Sequence, residues 1–330
     1  MAMSKLAVIS RRSYEHWPSW DLVYEWEDEI VKAIPEAKLF VRKEIAFRSK
    51  RLFNHLRNKQ GIDIDRLWLG DTPTFSFDMA PTLINKGMNK PYNSVCIIDF
   101  FMRDGLDDFY SAYSNVKHLW VSSREVYDYL QSMGPKRQVG HMPLTLPDKY
   151  RITQETKIEK KYDFIMQGRQ NKMMKEWFDQ YAKTHDITYV KRGKIEHNNF
   201  PYYNNRGEFV GMGNTREQYM TLLKGSRAAF YSTPGMRGDE RPETNGFHQV
   251  TPRFLEEIGC GCNVVSFYED NSDTDFFELS KMTRRVDSYA DFEKAMDAAI
   301  SSAPDMGKYS AYLERHYTSV VAKEAAMAGD

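Results

Sequence analysis

Short apolar runs alternate with helix-like segments along most of the chain, and this alternation limits the possible folds more than any other feature. Runs at residues 6–9, 38–41, 67–69, 95–98 and 118–121 have the length and character of buried strands. Between them, residues 20–34, 46–58, 77–87 and 123–133 carry helical spacing. Strands separated by helices in this way form a mainly parallel sheet with right-handed crossovers. Residues 139–144 are expected to add the last strand of this series. Residues 147–161 then turn polar and charged, which places a domain boundary near residue 150.

A second alternating series follows. A strand is expected at 162–166, a helix from there to about 184, and a strand at 187–190. Residues 193–208, rich in Asn, Tyr and Gly, read as a loop. A helix capped by Thr215 runs to 224, and a strand covers 228–231. A long polar stretch, 235–249, leads into residues 251–266. Beyond these come a charged loop at 269–275, a helix, a short strand at 285–286, a helix at 288–302 and one final helix at 308–326. At 330 residues the chain can hold two such α/β domains, 1–150 and 151–330.

Residues 251–266, Thr-Pro-Arg-Phe-Leu-Glu-Glu-Ile-Gly-Cys-Gly-Cys-Asn-Val-Val-Ser, read as a short helix feeding a buried strand. Thr251 suits the N-cap and Pro252 the first helical position, where a missing N–H is tolerated. Gly261 can close the helix in a left-handed conformation, and Val264 and Val265 begin the strand. A helix start bearing Thr251 and Arg253 suits a phosphate. Glu256, one turn further in, can accept hydrogen bonds from a ribose diol. An ordinary amphipathic helix would show the same cap chemistry.

In parallel α/β sheets, ligands gather beyond the carboxyl ends of the strands. In the first series those ends are read as Ser10-Arg11-Arg12-Ser13, Gly70-Asp71-Thr72, the segment from Asp99 to Asp104, and Ser122-Ser123-Arg124. In the second they are Gln167-Gly168-Arg169-Gln170-Asn171-Lys172 and Ser232-Thr233-Pro234-Gly235. Arg169 beside a glycine can reach a diphosphate through both arms of its fork. Tyr231, Ser232 and Thr233 are candidates to border a base or sugar, and Met212 and Gly213 to flank the base. Arg11 and Arg12 are either contacts for the phosphate of a lipid-linked acceptor or solvated charges, the latter being favoured.

Two α/β halves, the second with a glycine-limited helix and strand, resemble glycosyltransferases of the GT-B fold. Arg253-Phe-Leu-Glu-Glu-Ile-Gly-Cys-Gly-Cys-Asn-Val-Val265 resembles their donor-binding helix, where a glutamate five residues before the glycine holds the nucleotide ribose. Glu256 stands there relative to Gly261. Phe164-Ile-Met-Gln-Gly-Arg169 resembles the first strand and loop of their nucleotide domain, whose basic residue faces the pyrophosphate. Trp120-Val-Ser-Ser123, with a following helix and Pro143, resembles the end of their acceptor domain. Val286-Asp-Ser-Tyr289 adds a likeness to the spore-coat-type group. The resemblance implies two Rossmann-like domains facing a cleft, with the C-terminal helix packing back on the first domain.

The chain departs from that pattern at one place. Many retaining members carry a second glutamate eight residues before the ribose glutamate, and His248 stands there. An inverting transfer is therefore expected, with His248 touching the sugar or a phosphate. The lysine of those families has Lys172 and Lys175 as its nearest candidates. Inversion needs a base within hydrogen-bond reach of the acceptor hydroxyl. Asp99 and Asp104 lead the candidates, followed by Asp71 and His16.

Composition closes off other classes. Forty-six basic and 46 acidic residues balance, which disfavours a general nucleic-acid binder. Three cysteines, Cys96, Cys260 and Cys262, form no disulfide framework and suit a reducing compartment. Cys260 and Cys262 lack a second pair at zinc spacing and read as buried structural residues. There is no 18-residue apolar run and no apparent signal peptide. Asp273-Thr-Asp275 could hold a divalent cation, but its place before an apolar run reads better as a helix cap. The chain has no GxGxxG, P-loop or Gly-X-Ser-X-Gly motif. The expected activity is sugar transfer from a nucleotide-diphosphate donor, a UDP-sugar favoured, to a glycan or lipid-linked acceptor. It would serve cell-surface polysaccharide or lipopolysaccharide synthesis without metal or other cofactor, in the cytoplasm or at the inner face of the membrane as a peripheral protein. A nucleotide-sugar epimerase of the same fold and a non-catalytic coat-associated protein are the alternatives; donor sugar, linkage and oligomeric state stay open.

Overall fold

The computed structural model describes residues 6–16, 18–42, 69–81, 93–195, 197, 199–239 and 241–328. The chain forms two compact units: Met1–Pro147 together with Thr318–Asp330, and Asp148–Tyr317.

In the first unit the strands are β1 (Ala7–Ser10), β2 (Lys38–Val41), β3 (Thr74–Asp78), β4 (Ser94–Ile97), β5 (His118–Val121) and β6 (Val139–His141). Among the described residues they make a parallel sheet in the order β2-β1-β3-β4-β5-β6. β1 and β3 are buried along their whole length, as strands covered on both faces are. Helix α1 (Pro18–Ala33) presents Trp20, Val23, Trp26 and Ile30, one helical stripe, to a cluster that includes Phe75, Phe77 and Met142. Helices α2 (Leu106–Ala112) and α3 (Arg124–Ser132) bury Phe109, Tyr110, Val126 and Leu130. Ser123 caps α3 by accepting the Val126 N–H.

The helix expected over 77–87 is corrected at its start: Phe77 and Asp78 close β3. Thr-Phe-Ser-Phe-Asp has the period of a strand, and Phe75 and Phe77 meet edge to face at 5.0 Å. Residues 82–87, the expected helix at 46–58, and residues 67 and 68 of an expected strand lie outside the described residues. Leu69 is helical rather than the end of a strand, and the turn begins at Gly70, at φ 55°.

The second unit contains β7 (Tyr162–Met166), β8 (Tyr189–Arg192), β9 (Pro201–Asn204), β10 (Phe209–Met212), β11 (Ser226–Ser232), β12 (Asn263–Phe267) and β13 (Arg284–Arg285). Their order is β10-β9-β8-β7-β11-β12-β13, parallel except at the β8-β9-β10 hairpins. Helices α4 (Lys172–Thr184), α5 (Arg216–Lys224), α6 (Pro252–Gly259), α7 (Ser272–Phe276), α8 (Leu279–Met282) and α9 (Tyr289–Ser301) connect them. Phe164, Phe178, Phe230 and Phe292 form the aromatic centre of the core, with Phe164 and Phe230 at 4.2 Å. Thr215 caps α5 with a full capping box to Gln218. Gly261 is left-handed at φ 65°, as the helix stop requires.

Two expectations here are corrected. The 193–208 loop contains β9, which pairs antiparallel with β8 and β10. Tyr202 and Tyr203 supply strand propensity inside a composition that otherwise reads as loop. The single final helix is broken into α10 (Met306–Leu313), a 3₁₀ turn at Glu314–His316, and α11 (Thr318–Ala328). The break lies where the chain leaves one unit for the other. Tyr317 is extended, at φ −76° and ψ 146°, and its hydroxyl accepts the Ile152 N–H at 3.1 Å. Thr318 instead donates its N–H to the Leu146 carbonyl at 3.1 Å. The C-terminal helix α11 packs back on the first unit, as expected, with Val321 and Ala322 in the cluster beneath α1.

Candidate functional site

The site is built at the carboxyl edge of the second unit's parallel strands. β7 ends at Met166, and Gln167, Gly168 and Arg169 form the turn into α4. Gly168 has φ 69° and packs against Arg253 of α6: a Cβ there would lie 2.6 Å from the guanidinium Nη2 and 3.1 Å from Cζ. Arg253 Nη1 donates to the Arg169 carbonyl at 2.7 Å. The loop after β7 and the first turn of α6 therefore hold each other, and a glycine at this positive φ allows the approach without displacing the guanidinium. Burial works against the charge of Arg253, but Tyr219, Glu257, Glu256 and Tyr231 around it prevail and raise its pKa.

Thr251 is the N-cap of α6 and Pro252 its first residue, as expected. Its side chain makes no cap hydrogen bond. Instead its N–H donates to the hydroxyl of the fully buried Tyr231 at 2.8 Å. Tyr231, expected to border a base or sugar, is thus a strut between β11 and the start of α6.

Every residue of α6 from Phe254 to Gly259 is buried, including two glutamates. Glu256 accepts from Arg216 Nη2 through Oε1 at 2.8 Å. Glu257 is 1% exposed and its Oε2 finds no hydrogen-bond partner. Burial pushes its carboxyl well above the usual range, Arg253 opposes the shift and Glu256 adds to it. Tyr219, one turn after Arg216, is held in its hydroxyl form first by burial and then by Glu256, against Arg253 and Arg216.

Tyr202 of β9 connects another expected residue to this centre. Burial raises the pKa of its hydroxyl, and the nearby Gly168 backbone and Arg253 oppose the shift. Its ring lies where a Cβ on Gly213 would sit, 2.7 Å from Cε2. Gly213 therefore makes room for Tyr202; Met212 ends β10 beside it.

The remaining expected donor residues lie on neighbouring loops. Ser232 ends β11 half-buried, and Thr233 is fully buried with its Oγ1 lacking a partner. His248 donates from Nδ1 to the Pro234 carbonyl at 3.0 Å, which fixes the tautomer and turns Nε2 toward Glu269 Oε2 at 3.8 Å. Arg169 and Lys172 are exposed. The Lys172 N–H donates to Gly238, and Asn171 caps α4 while donating to the Arg237 carbonyl at 2.8 Å, so the chain at 237–238 folds over the start of α4. Buried polar atoms without partners, Gln167 Oε1, Thr233 Oγ1 and Glu257 Oε2, mark the strand ends and α6. Such atoms are few in folded proteins.

In the first unit, Asp99 follows β4 half-buried, its N–H donating to the Met79 carbonyl at 2.7 Å. Asp104 and His16 are exposed. Asp71 is corrected: it lies in the turn leading into β3, at the amino edge of the sheet, and not at a strand's carboxyl end. Arg11 and Arg12 are half-buried and held in ion pairs rather than being simply solvated charges. Arg11 donates to Asp78 at 2.7 Å, and the Tyr113 hydroxyl donates to the other oxygen of Asp78 at 2.8 Å. Arg12 reaches Asp28 at 2.8 Å and Glu27 at 3.3 Å. Burial pushes the Glu27 carboxyl up to about 7, against hydrogen bonds from Ser10 and Arg12. A cavity of about 300 Å³, lined by Ile30, Ile34, Phe75, Trp120, Met142 and Ala325 among others, sits away from these groups at the amino edge.

Asp273 and Asp275 are not the cap of α7; Asn271 is, and Asp273 is buried with Oδ2 accepting the Val250 N–H at 2.5 Å. Among the described residues, no group of three His, Cys, Asp or Glu side chains is placed to hold a metal ion. Cys260 and Cys262 are buried thiols directed at the carbonyls of Met220 and Leu223. Among the described residues no helix is long and apolar enough to cross a membrane.

Sequence reasoning missed Arg216, Tyr202, Tyr219 and Glu257. One signal was present for Arg216: a cation at the first position of a capped helix opposes the helix dipole.

No family model matches the sequence, and no curated protein does. Solved structures do match. AviGT4, a glycosyltransferase involved in avilamycin A biosynthesis, is 11% identical, with 99% of this chain aligned to 97% of that one at a TM-score of 0.55. WaaG, a glycosyltransferase involved in lipopolysaccharide biosynthesis, is 7% identical over 97% and 98% of the two chains at 0.50. The fold is that of the GT-B glycosyltransferases. A chain of the GtfA/B complex is 13% identical over 84% of this chain at 0.48, and this chain spans 59% of its length. At these identities the likeness is one of fold alone.

Proposed function

We propose that the chain is a glycosyltransferase whose second unit binds a nucleotide-diphosphate sugar. The observation that carries this is the convergence, at one sheet edge, of the Gly168–Arg169 turn, Arg253 at the start of α6 and Glu256 one turn on. Arg253, kept cationic, joins the helix N-terminus in holding a diphosphate. The Glu256 oxygen not taken by Arg216 accepts from the ribose. Lys172, Arg169, Ser232 and His248 border the same edge, and Gly213 supports it through Tyr202.

The first unit receives a glycan or lipid-linked acceptor. Asp99 is the carboxylate proposed to take the proton from the acceptor hydroxyl, with Asp104 and His16 as the remaining candidates. The freed oxygen forms a bond to the anomeric carbon, the carbon–oxygen bond to the diphosphate breaks, and the diphosphate leaves with the electron pair. Arg253 and the start of α6 stabilise the charge it acquires. His248 in place of a glutamate favours inversion. A UDP-sugar donor, no metal, and cell-surface glycan synthesis by a cytoplasmic or peripherally bound protein complete the reading. The spore-coat-type group is its proposed nearest relation.

Thermal shift against UDP, GDP and ADP tests it, because a ligand of the folded state raises its stability. One nucleotide should raise the melting temperature, and Arg253→Ala and Glu256→Ala should each weaken that binding. Unchanged affinity in both variants would sink the site. Donor consumption without acceptor would point instead to an epimerase.

A further inference from the structure

Arg216 has a placement that helix physics does not call for. It is the first residue of α5, where a cation faces the positive end of the dipole. Thr215 and Gln218 already close that helix start. Yet only 14% of the Arg216 side chain is exposed. Its guanidinium lies 5.1 Å from the Tyr219 ring centre and 6.0 Å from that of Tyr150. The planar group is thus steadied by aromatic faces while Nη2 donates to Glu256 Oε1 at 2.8 Å. Glu256 is 3% exposed, and among the described residues its other oxygen meets no protein donor.

A second arginine acts on this carboxylate through its charge. Arg253 interacts electrostatically with Glu256 and Glu257. The terminal torsion of a glutamate is soft, so an unanchored carboxylate would turn toward Arg253 and neutralise it. Arg216 prevents this by holding one oxygen. Arg253 then keeps its charge for an anion, and the second oxygen of Glu256 keeps one direction.

We infer that Arg216 is a positioning residue that sets specificity for the sugar of the nucleotide: by fixing Glu256 through Oε1 it presents the other oxygen to the ribose hydroxyls, so that ribonucleotides are preferred over analogues lacking them. This rests on the donor reading given above. A hydrogen bond to a charged group contributes enough for a preference of about tenfold or more. Arg216 acts through Glu256 and does not touch the donor.

The test compares dissociation constants of the intact chain for UDP, GDP and ADP with those for their 2′,3′-dideoxy counterparts. The wild type should prefer its ribonucleotide by about tenfold or more. Arg216→Gln should bring the two constants within about threefold, with the dideoxy constant little changed. Arg216→Lys, which keeps the charge without the stacked fork, should fall between, and it carries the test if the glutamine variant does not fold. In a Glu256→Ala background, Arg216→Gln should have no further effect on the ratio. A purely structural role would weaken both ligands together. A full ribose preference retained in both Arg216 variants overturns the inference and leaves the donor reading standing. No nucleoside diphosphate binding by the wild type overturns both.

Discussion

The contact between Gly168 and Arg253 makes a quantitative prediction, because a second glycine supplies its control. Gly168 and Gly207 both have positive φ, 69° and 82°. An alanine at Gly207 would meet no atom within 4 Å, whereas at Gly168 its Cβ would come 2.6 Å from Arg253 Nη2. Gly207→Ala should therefore cost only the left-handed backbone penalty, about 1–2 kcal/mol. Gly168→Ala adds displacement of the guanidinium and loss of its hydrogen bond to the Arg169 carbonyl, a further ~1.5–3 kcal/mol for a charged donor. With roughly 2–4 °C of melting temperature per kcal/mol for a unit of this size, the two variants should separate clearly on heating. The functional difference should be sharper. Calorimetric titration with the nucleoside diphosphate that the wild type binds should show Gly207→Ala unchanged and Gly168→Ala weaker by about 10–100-fold. Equal nucleotide affinity in the two variants would show that Arg253 does not hold the diphosphate from this position.

Two further outcomes follow from buried groups. Burial, and then Arg315, lowers the His316 pKa to about 4, while the ring stacks on Phe277 at 5.3 Å and accepts from Arg315. The unfolded chain binds this proton from about pH 6.5 and the folded chain resists it, so stability falls as pH drops from 6.5 to 4. His316→Phe should remove that part of the slope, about 1.4 kcal/mol per pH unit, read from urea midpoints at pH 7 and pH 5; an unchanged slope would refute the assignment. Tyr231→Phe leaves the Thr251 N–H without its acceptor and should lower stability by about 1–2 kcal/mol while weakening nucleotide binding, whereas wild-type behaviour in both would show that the strut is dispensable.

Several strands were legible from a short apolar core: Ala7–Ile9 in β1, Val95–Ile97 in β4, Phe164–Met166 in β7 and Val264–Val265 in β12. β3 was not, since it offers only Phe75 and Phe77 in alternation and no continuous apolar run. β9 was hidden by the asparagines around Tyr202 and Tyr203. At the site, Thr251, Pro252 and Gly261 revealed α6 through local cap chemistry, and Arg253 and Glu256 through their spacing within it. Arg216 and Tyr202 come from distant parts of the chain and reach α6 and Gly168 only through the fold. Likewise, nothing near Arg11 or Arg12 in sequence discloses that Asp78 and Glu27 pair with them.

The chain enters the second unit at Asp148 and returns to the first at Thr318, and this order has a consequence for biosynthesis. Among the described residues the sheet of the first unit has all its strands by His141, but α11, which packs on α1, is translated only after the whole second unit. At typical elongation rates the ribosome needs roughly ten to thirty seconds to cross the intervening segment. For that interval Trp20, Val23 and Ile30 on the nascent first unit lack part of the layer that later covers them. The second unit is therefore also a delay, during which a half-covered sheet must be kept from its neighbours on the polysome.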